Sequence, residues 1–150
     1  MKTKQLVVVR HGAHDEEHLT SEGKKVIGET GKQITRHIGT VGSIALLCSH
    51  INYVVESAEI LALLLKTPFT VHQSLFFEGD HENDFERTMG IVEGHLEKVD
   101  TIIIVSHDRL TTLFPSYFAR HAFDRFITTS GIIMGKGMIL CENGAGQIYL

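Results

Sequence analysis

Hydrophobic positions along the chain follow two rhythms. Leu6-Val7-Val8-Val9 and Thr101-Ile102-Ile103-Ile104-Val105 are short, unbroken runs rich in β-branched residues. Such runs predict strands buried on both faces, as in a parallel sheet. Ser43-Ile44-Ala45-Leu46-Leu47-Cys48 predicts a third strand and Phe69-Thr70-Val71-His72 a short fourth. Between them the spacing becomes helical. Thr20 is a plausible N-cap, with Glu22 in the first turn, and Val26, Ile27, Thr30, Ile34 and Ile38 mark the buried face of a first helix. Gly23, Gly28 and Gly31 within it predict close packing on the sheet. Tyr53 to Lys66 predicts a second helix, closed by Pro68. An acidic loop, Glu78 through Asp84, precedes an amphipathic stripe of Phe85, Met89, Val92 and Leu96. Leu110, Leu113, Phe114, Tyr117 and Phe118 predict a last helix, kinked or restarted at Pro115. Gly131 to Glu142 reads as β-rich, followed by an Asn143–Gly146 turn and a final strand, Gln147 to Leu150. No repeat or linker interrupts the sequence. The alternation predicts one three-layer α/β domain over residues 1–150, its sheet mostly parallel with an antiparallel C-terminal edge.

Composition narrows the class. Hydrophobic residues make up 43% and charged residues 21%, which excludes a disordered chain. A net charge of -4, without a basic run, argues against nucleic acid as a partner. No apolar run is long enough to span a membrane, and no cleavage site follows Met1-Lys2-Thr3-Lys4. Cys48 and Cys141 stand far apart, which suits a reduced pair and a cytoplasmic protein, with a disulfide as the alternative.

Chemistry enters at the strand ends. The first strand stops in Arg10-His11-Gly12 and the later one in Ser106-His107. Sites in open α/β sheets lie beyond the carboxyl ends of strands, although an ordinary βα turn could carry the same tripeptide. If the two strands are neighbours, both imidazoles meet beside Arg10 in one crevice suited to an oxyanion. One neutral imidazole can attack phosphorus while the other donates to the phosphoryl oxygens, and Arg10 can hold two of them in a fork. Positioning and charge carry most of phosphoryl transfer, so no metal or cofactor is required by this set.

At these residues the chain resembles the histidine phosphatase superfamily. The matching pieces, in order, are Arg10-His11-Gly12, Leu19-Thr20-x-x-Gly23, Ser49 with Ser57-Ala58-Glu59-Ile60-Leu61, and Val105-Ser106-His107. The short length and Thr128-Thr129-Ser130 are most similar to the small bacterial phosphohistidine phosphatases. The resemblance implies an α/β/α sandwich and a phosphatase acting on a phosphorylated small molecule or phosphoprotein. His11 would be the phosphorylated nucleophile, with Arg10 and His107 on the phosphoryl group. It also exposes departures. His50 stands where the family has proline after Ser49, and Tyr53 where it has a second phosphate-binding arginine. One fixed charge is therefore missing, which predicts slow turnover; His50, Tyr53 or Arg109 are the residues available to compensate. Two residues match the family's proton donors, Glu78 in one branch and Asp108 in another. Their plainer readings are a solvated loop charge and a helix N-cap.

Two rival readings stand beside this one. His14-Asp15-Glu16-Glu17-His18 fits the H-x-x-E-H pattern of inverted zinc peptidases, which needs both histidines on one helix face. Its place in a polar loop suits instead the mouth of the phosphate pocket. The missing arginine also suits a relative that binds phosphate or a phosphorylated partner without turning it over.

Overall fold

The computed structural model describes residues 3–39, 42–76, 83–142 and 147–150. Their elements are β1 (Gln5–Arg10), α1 (Ser21–Ile38), β2 (Ile44–Cys48), α2 (Asn52–Leu65), β3 (Phe69–Val71), α3 (Asp84–Glu93), β4 (Thr101–Ser106), α4 (Asp108–Phe123), β5 (Gly137–Cys141) and β6 (Gln147–Tyr149). One sheet runs in the order β3-β2-β4-β1-β5-β6. The first four strands in that order are parallel, and β5 and β6 add an antiparallel edge. Both β1 and β4 lie in the interior of this sheet, and Leu6–Val9 and Ile102–Val105 are fully buried. Alternate residues then serve opposite layers. Leu6, Val8, Ile102 and Ile104 pack on Met89, Val92, Leu110, Phe114 and Phe118 of α3 and α4. Val7, Val9, Ile103 and Val105 pack on Ile27, Ile34, Val54, Ala58 and Leu61 of α1 and α2. This is a three-layer α/β/α sandwich. No helix among the described residues is long and apolar enough to cross a membrane.

Helix α1 starts as its sequence dictates: Thr20 Oγ1 accepts from the Gly23 amide at 3.0 Å. Its glycines do not pack on the sheet. A Cβ on Gly23 would lie 2.1 Å from the Ala13 carbonyl oxygen, so this glycine lets the loop after β1 close onto the helix. Gly31 instead receives Leu64 and Leu61 of α2, and Gly28 faces open space. These surroundings set opposite expectations for one chemical change. Gly23→Ala should destabilise by about 1–3 kcal/mol, because a rigid carbonyl must move. Gly28→Ala should stabilise by up to about 1 kcal/mol through helix propensity. Urea denaturation of both variants measures the contrast.

Other expectations need correction. Helix α4 continues unbroken through Pro115 and does not restart there. Asp84 belongs to α3 and not to a solvated loop; it is buried and paired with Arg87. The stretch from Gly131 is irregular up to β5, with a turn closed by the Lys136 amide on the Ile133 carbonyl. The expected turn at residues 143–146 lies outside the described residues. Cys48 and Cys141 are buried free thiols, and burial pushes the Cys48 thiol up to about 12.

Candidate active site

β1 and β4 are parallel neighbours in the register Arg10↔Ser106. Each strand therefore delivers its next residue, His11 or His107, to the same edge of the sheet. The backbone holds this edge closely. The His11 amide donates to the Ser106 carbonyl at 3.0 Å, and the Gly135 amide reaches the carbonyls of Arg10 at 3.0 Å and His11 at 2.8 Å. Gly135 has φ +83°, a left-handed conformation that a side chain would strain. β2 arrives beside them, with the Ser49 amide on the Val105 carbonyl at 3.3 Å.

His11 is buried, and its ring centroid lies 5.2 Å from that of His107. His11 Nδ1 is 3.0 Å from the Gly12 carbonyl oxygen. A carbonyl only accepts, so Nδ1 carries the proton and Nε2 keeps the lone pair. The loop itself is tied to α2: the Gly12 amide donates to Ser57 Oγ at 3.1 Å, and Ser57 Oγ–H donates to the Tyr53 carbonyl at 2.8 Å. His107 Nε2 lies 3.3 Å from Ser49 Oγ, and the Phe76 ring meets it edge-on at 4.5 Å.

Burial is the main reason that both imidazoles lose basicity. The His11 pKa is lowered by burial first, with smaller contributions from His14 and Arg10, against the raising effects of the Gly12 carbonyl and Asp108. The His107 pKa falls to about 4, through burial first and then through His11, His50, His14 and Arg10. Both rings are therefore neutral at neutral pH.

Arg10 supplies the fixed positive charge. Its Nη1 donates to the Ile132 carbonyl at 3.0 Å and lies 3.8 Å from Asp108 Oδ1. Its Nε–H is buried without an acceptor among the described residues. Asp108 is not the N-cap of α4; His107 holds that position and Asp108 is the first helical residue. Its carboxylate accepts from Thr112 Oγ1 at 3.2 Å and remains largely exposed.

Tyr53 stands at the site, its ring 4.7 Å from His11 and 6.1 Å from His107. His50 is exposed at the margin, 5.9 Å from the Phe76 ring. Arg109 points elsewhere. It lines a shallow groove on α4 with Leu113, Tyr117 and Arg120, so it does not replace the missing arginine. Glu78 lies outside the described residues.

Residues 14–18 form a tight loop and not a helix. Asp15 Oδ1 accepts from the amides of Glu17 at 3.0 Å and His18 at 2.9 Å, and a bridge pairs His14 with Leu19. The two histidines consequently share no helix face, which removes the basis of the zinc reading. His18 goes to Glu56, at 3.2 Å, while His14 turns to the pocket. There the His14 ring stacks on Tyr53, with centroids 3.6 Å apart and an angle of 6°, and meets His11 edge-on at 5.0 Å. Ser57 and Phe76 are the contributors that sequence reasoning missed. Ser57 lay inside a recognised motif, whereas nothing in the sequence distinguished Phe76.

The parallel part of the sheet thus presents two neutral imidazoles and one arginine at its carboxyl edge, within an α/β/α sandwich. The solved structures that share its fold are more particular. A mycobacterial glucosyl-3-phosphoglycerate phosphatase matches with a TM-score of 0.68 and 11% identity, over 99% of this chain and 97% of its own. A phosphoglycerate mutase from Plasmodium falciparum matches at 0.62 and 16%, over 100% of this chain and 90% of its own. A Nakamurella protein assigned as the phosphohistidine phosphatase SixA matches at 0.70 and 15%, over 98% and 93%. The chain thus has the fold of the histidine phosphatase superfamily. No family model matches the sequence, and no curated protein sequence matches it significantly.

Proposed function

We propose that this chain is a phosphatase that hydrolyses phosphoric monoesters or phosphoramidates through a phosphohistidine on His11. One observation carries the reading: His11 keeps its Nε2 lone pair because Nδ1–H is held by the Gly12 carbonyl, and it does so beside both Arg10 and His107. In the first step Nε2 bonds to phosphorus and the bond from phosphorus to the leaving oxygen or nitrogen breaks. Arg10 and His107 bind the equatorial oxygens, where negative charge concentrates. The leaving group takes a proton from Asp108, Glu78 or solvent. In the second step water attacks phosphorus, the P–N bond to His11 breaks, and phosphate leaves. A phosphoramidate such as phosphohistidine in a protein needs little help from an acid, because its imidazole is already a good leaving group. The names of the fold neighbours support phosphorylated substrates generally, and phosphohistidine among them.

A second reading has its own support. Tyr53 brings no charge to the pocket, and Asp108 lies 3.8 Å from the one arginine there. Both weaken the hold on a phosphoryl dianion and favour a slow enzyme or a phosphate-binding relative.

Turnover of an activated aryl phosphate separates the two. We expect hydrolysis that survives exhaustive chelation, since Arg10 and the imidazoles supply the charge. The rate should rise with pH, because only neutral His11 attacks. The lowered pKa of His11 places that rise below the ordinary histidine value of about 6.5. Activity lost on chelation and restored by zinc would contradict the assignment, as would a rate that keeps increasing towards strong acid.

A further inference from the structure

We propose that His14, as an imidazolium, is the second phosphoryl-binding cation of this pocket, and that Tyr53 is the shelf that holds it there. The proposal rests on the phosphoryl-binding reading of the site.

Four observations on the loop after β1 lead to it. First, His14 is directed inward although the four residues after it are exposed: its ring meets His11 edge-on at 5.0 Å. Second, the ring is fixed in plane and position. It lies flat on Tyr53 at 3.6 Å, while the Asp15 turn and the His14–Leu19 bridge hold the backbone. Third, His14 Nδ1–H donates to the Asp15 carbonyl, so any further proton goes on Nε2 and adds a new donor there. Fourth, the Tyr53 ring on which His14 lies is 4.7 Å from His11 and 6.1 Å from His107, the two groups that would flank a bound phosphoryl.

The chemistry is complementary. An aromatic face accepts a stacked cation, so the Tyr53 ring can carry the imidazolium without bringing charge of its own. A phosphoryl dianion in the pocket favours it further. The groups that oppose or assist are all on the page. Arg10 and any proton on His11, His107 or His50 oppose the charge on His14. Asp15 on its own loop and Asp108 on α4 assist it. Glu56 on α2 is engaged by His18 and by the Leu19 amide at 2.8 Å. In place of a second arginine, the pocket therefore holds a cation that is switched on by pH and by the ligand.

Sulfate is a suitable probe, because its charge stays constant through the histidine range. The expected result is that wild type binds sulfate roughly tenfold more tightly at about pH 5.5 than at about pH 8. His14→Gln should lose most of that gain at the lower pH, keeping only the part the other imidazoles supply, and change little at the higher one. His14→Arg should bind tightly at both. Linkage demands the converse, which needs no variant to fold: saturating sulfate should raise the His14 titration midpoint, followed by histidine NMR, by about one pH unit. If sulfate binds wild type and the His14 midpoint does not move, or His14→Gln weakens binding equally at both pH values, the role of His14 is overturned while the phosphoryl pocket stands. If wild type binds no sulfate at either pH, both fall.

Discussion

Replacing His11 with alanine is expected to abolish the phosphoenzyme and lower turnover by at least roughly 10⁴-fold, the scale on which loss of a nucleophile acts. The expectation follows from geometry. Among the described residues, no other side chain at this edge combines burial with an Nδ1–H held by a carbonyl, which leaves Nε2 free. His107 is poorly placed to substitute, because its Nε2 is engaged by Ser49 Oγ at 3.3 Å. Trapping with a labelled phosphoramidate should give wild-type protein an acid-labile, base-stable adduct. His11→Ala should give none, yet still bind sulfate through Arg10. An adduct of undiminished yield in the variant would place the nucleophile elsewhere.

The second large effect is expected at Tyr53. An arginine there would face the same space as a fixed cation with a planar fork, and charge-assisted hydrogen bonds contribute about 1.5–3 kcal/mol each. Tyr53→Arg should therefore tighten oxyanion binding by about one to two orders of magnitude at neutral or higher pH. The rate gain could exceed that, since an arginine on a transferring phosphoryl contributes roughly 10³–10⁵. The substitution also removes the shelf under His14, so the pH dependence of binding should flatten. Calorimetric titration with sulfate, alongside aryl phosphate turnover, tests both parts. Unchanged affinity in a folded variant would mean that the new guanidinium points away from His11, and that the 4.7 Å approach of the tyrosine ring does not mark a phosphate position.

Which features could be read from the sequence depended on how local their causes were. Val7–Val9 and Ile102–Val105 announced themselves because a strand buried on both faces leaves no polar position to blur the pattern. Their adjacency then carried the site, since parallel neighbours in register must bring His11 and His107 to one edge. The continuity of α4 was not legible. A proline inside a helix costs about 3 kcal/mol, but the full burial of Phe114 and Phe118 returns about 1.5–3 kcal/mol each and outweighs it. The polar loop of His14 could be assigned to the mouth of the pocket, but the stacking of its ring was hidden, because it depends on an aspartate turn and on a ring contributed by another helix. Gly28 and Gly31 look alike in sequence and differ only in what the neighbouring helix places against them.

The cross-bracing of Arg10 has a consequence for how the protein is made. The guanidinium is tied to the Ile132 carbonyl, 122 residues away, and the carbonyls of Arg10 and His11 are both held by the Gly135 amide. β1 is made before both of its partners in the sheet, β4 and β5, which follow it by about 90 residues or more. A nascent chain therefore cannot shape this edge of the sheet until β5 has been made. Contacts of such long sequence separation also slow the folding step itself. Fragments that end before β5 should carry every residue of the Arg10-His11-Gly12 motif and still present no assembled site, so the pocket reports that β5 has docked.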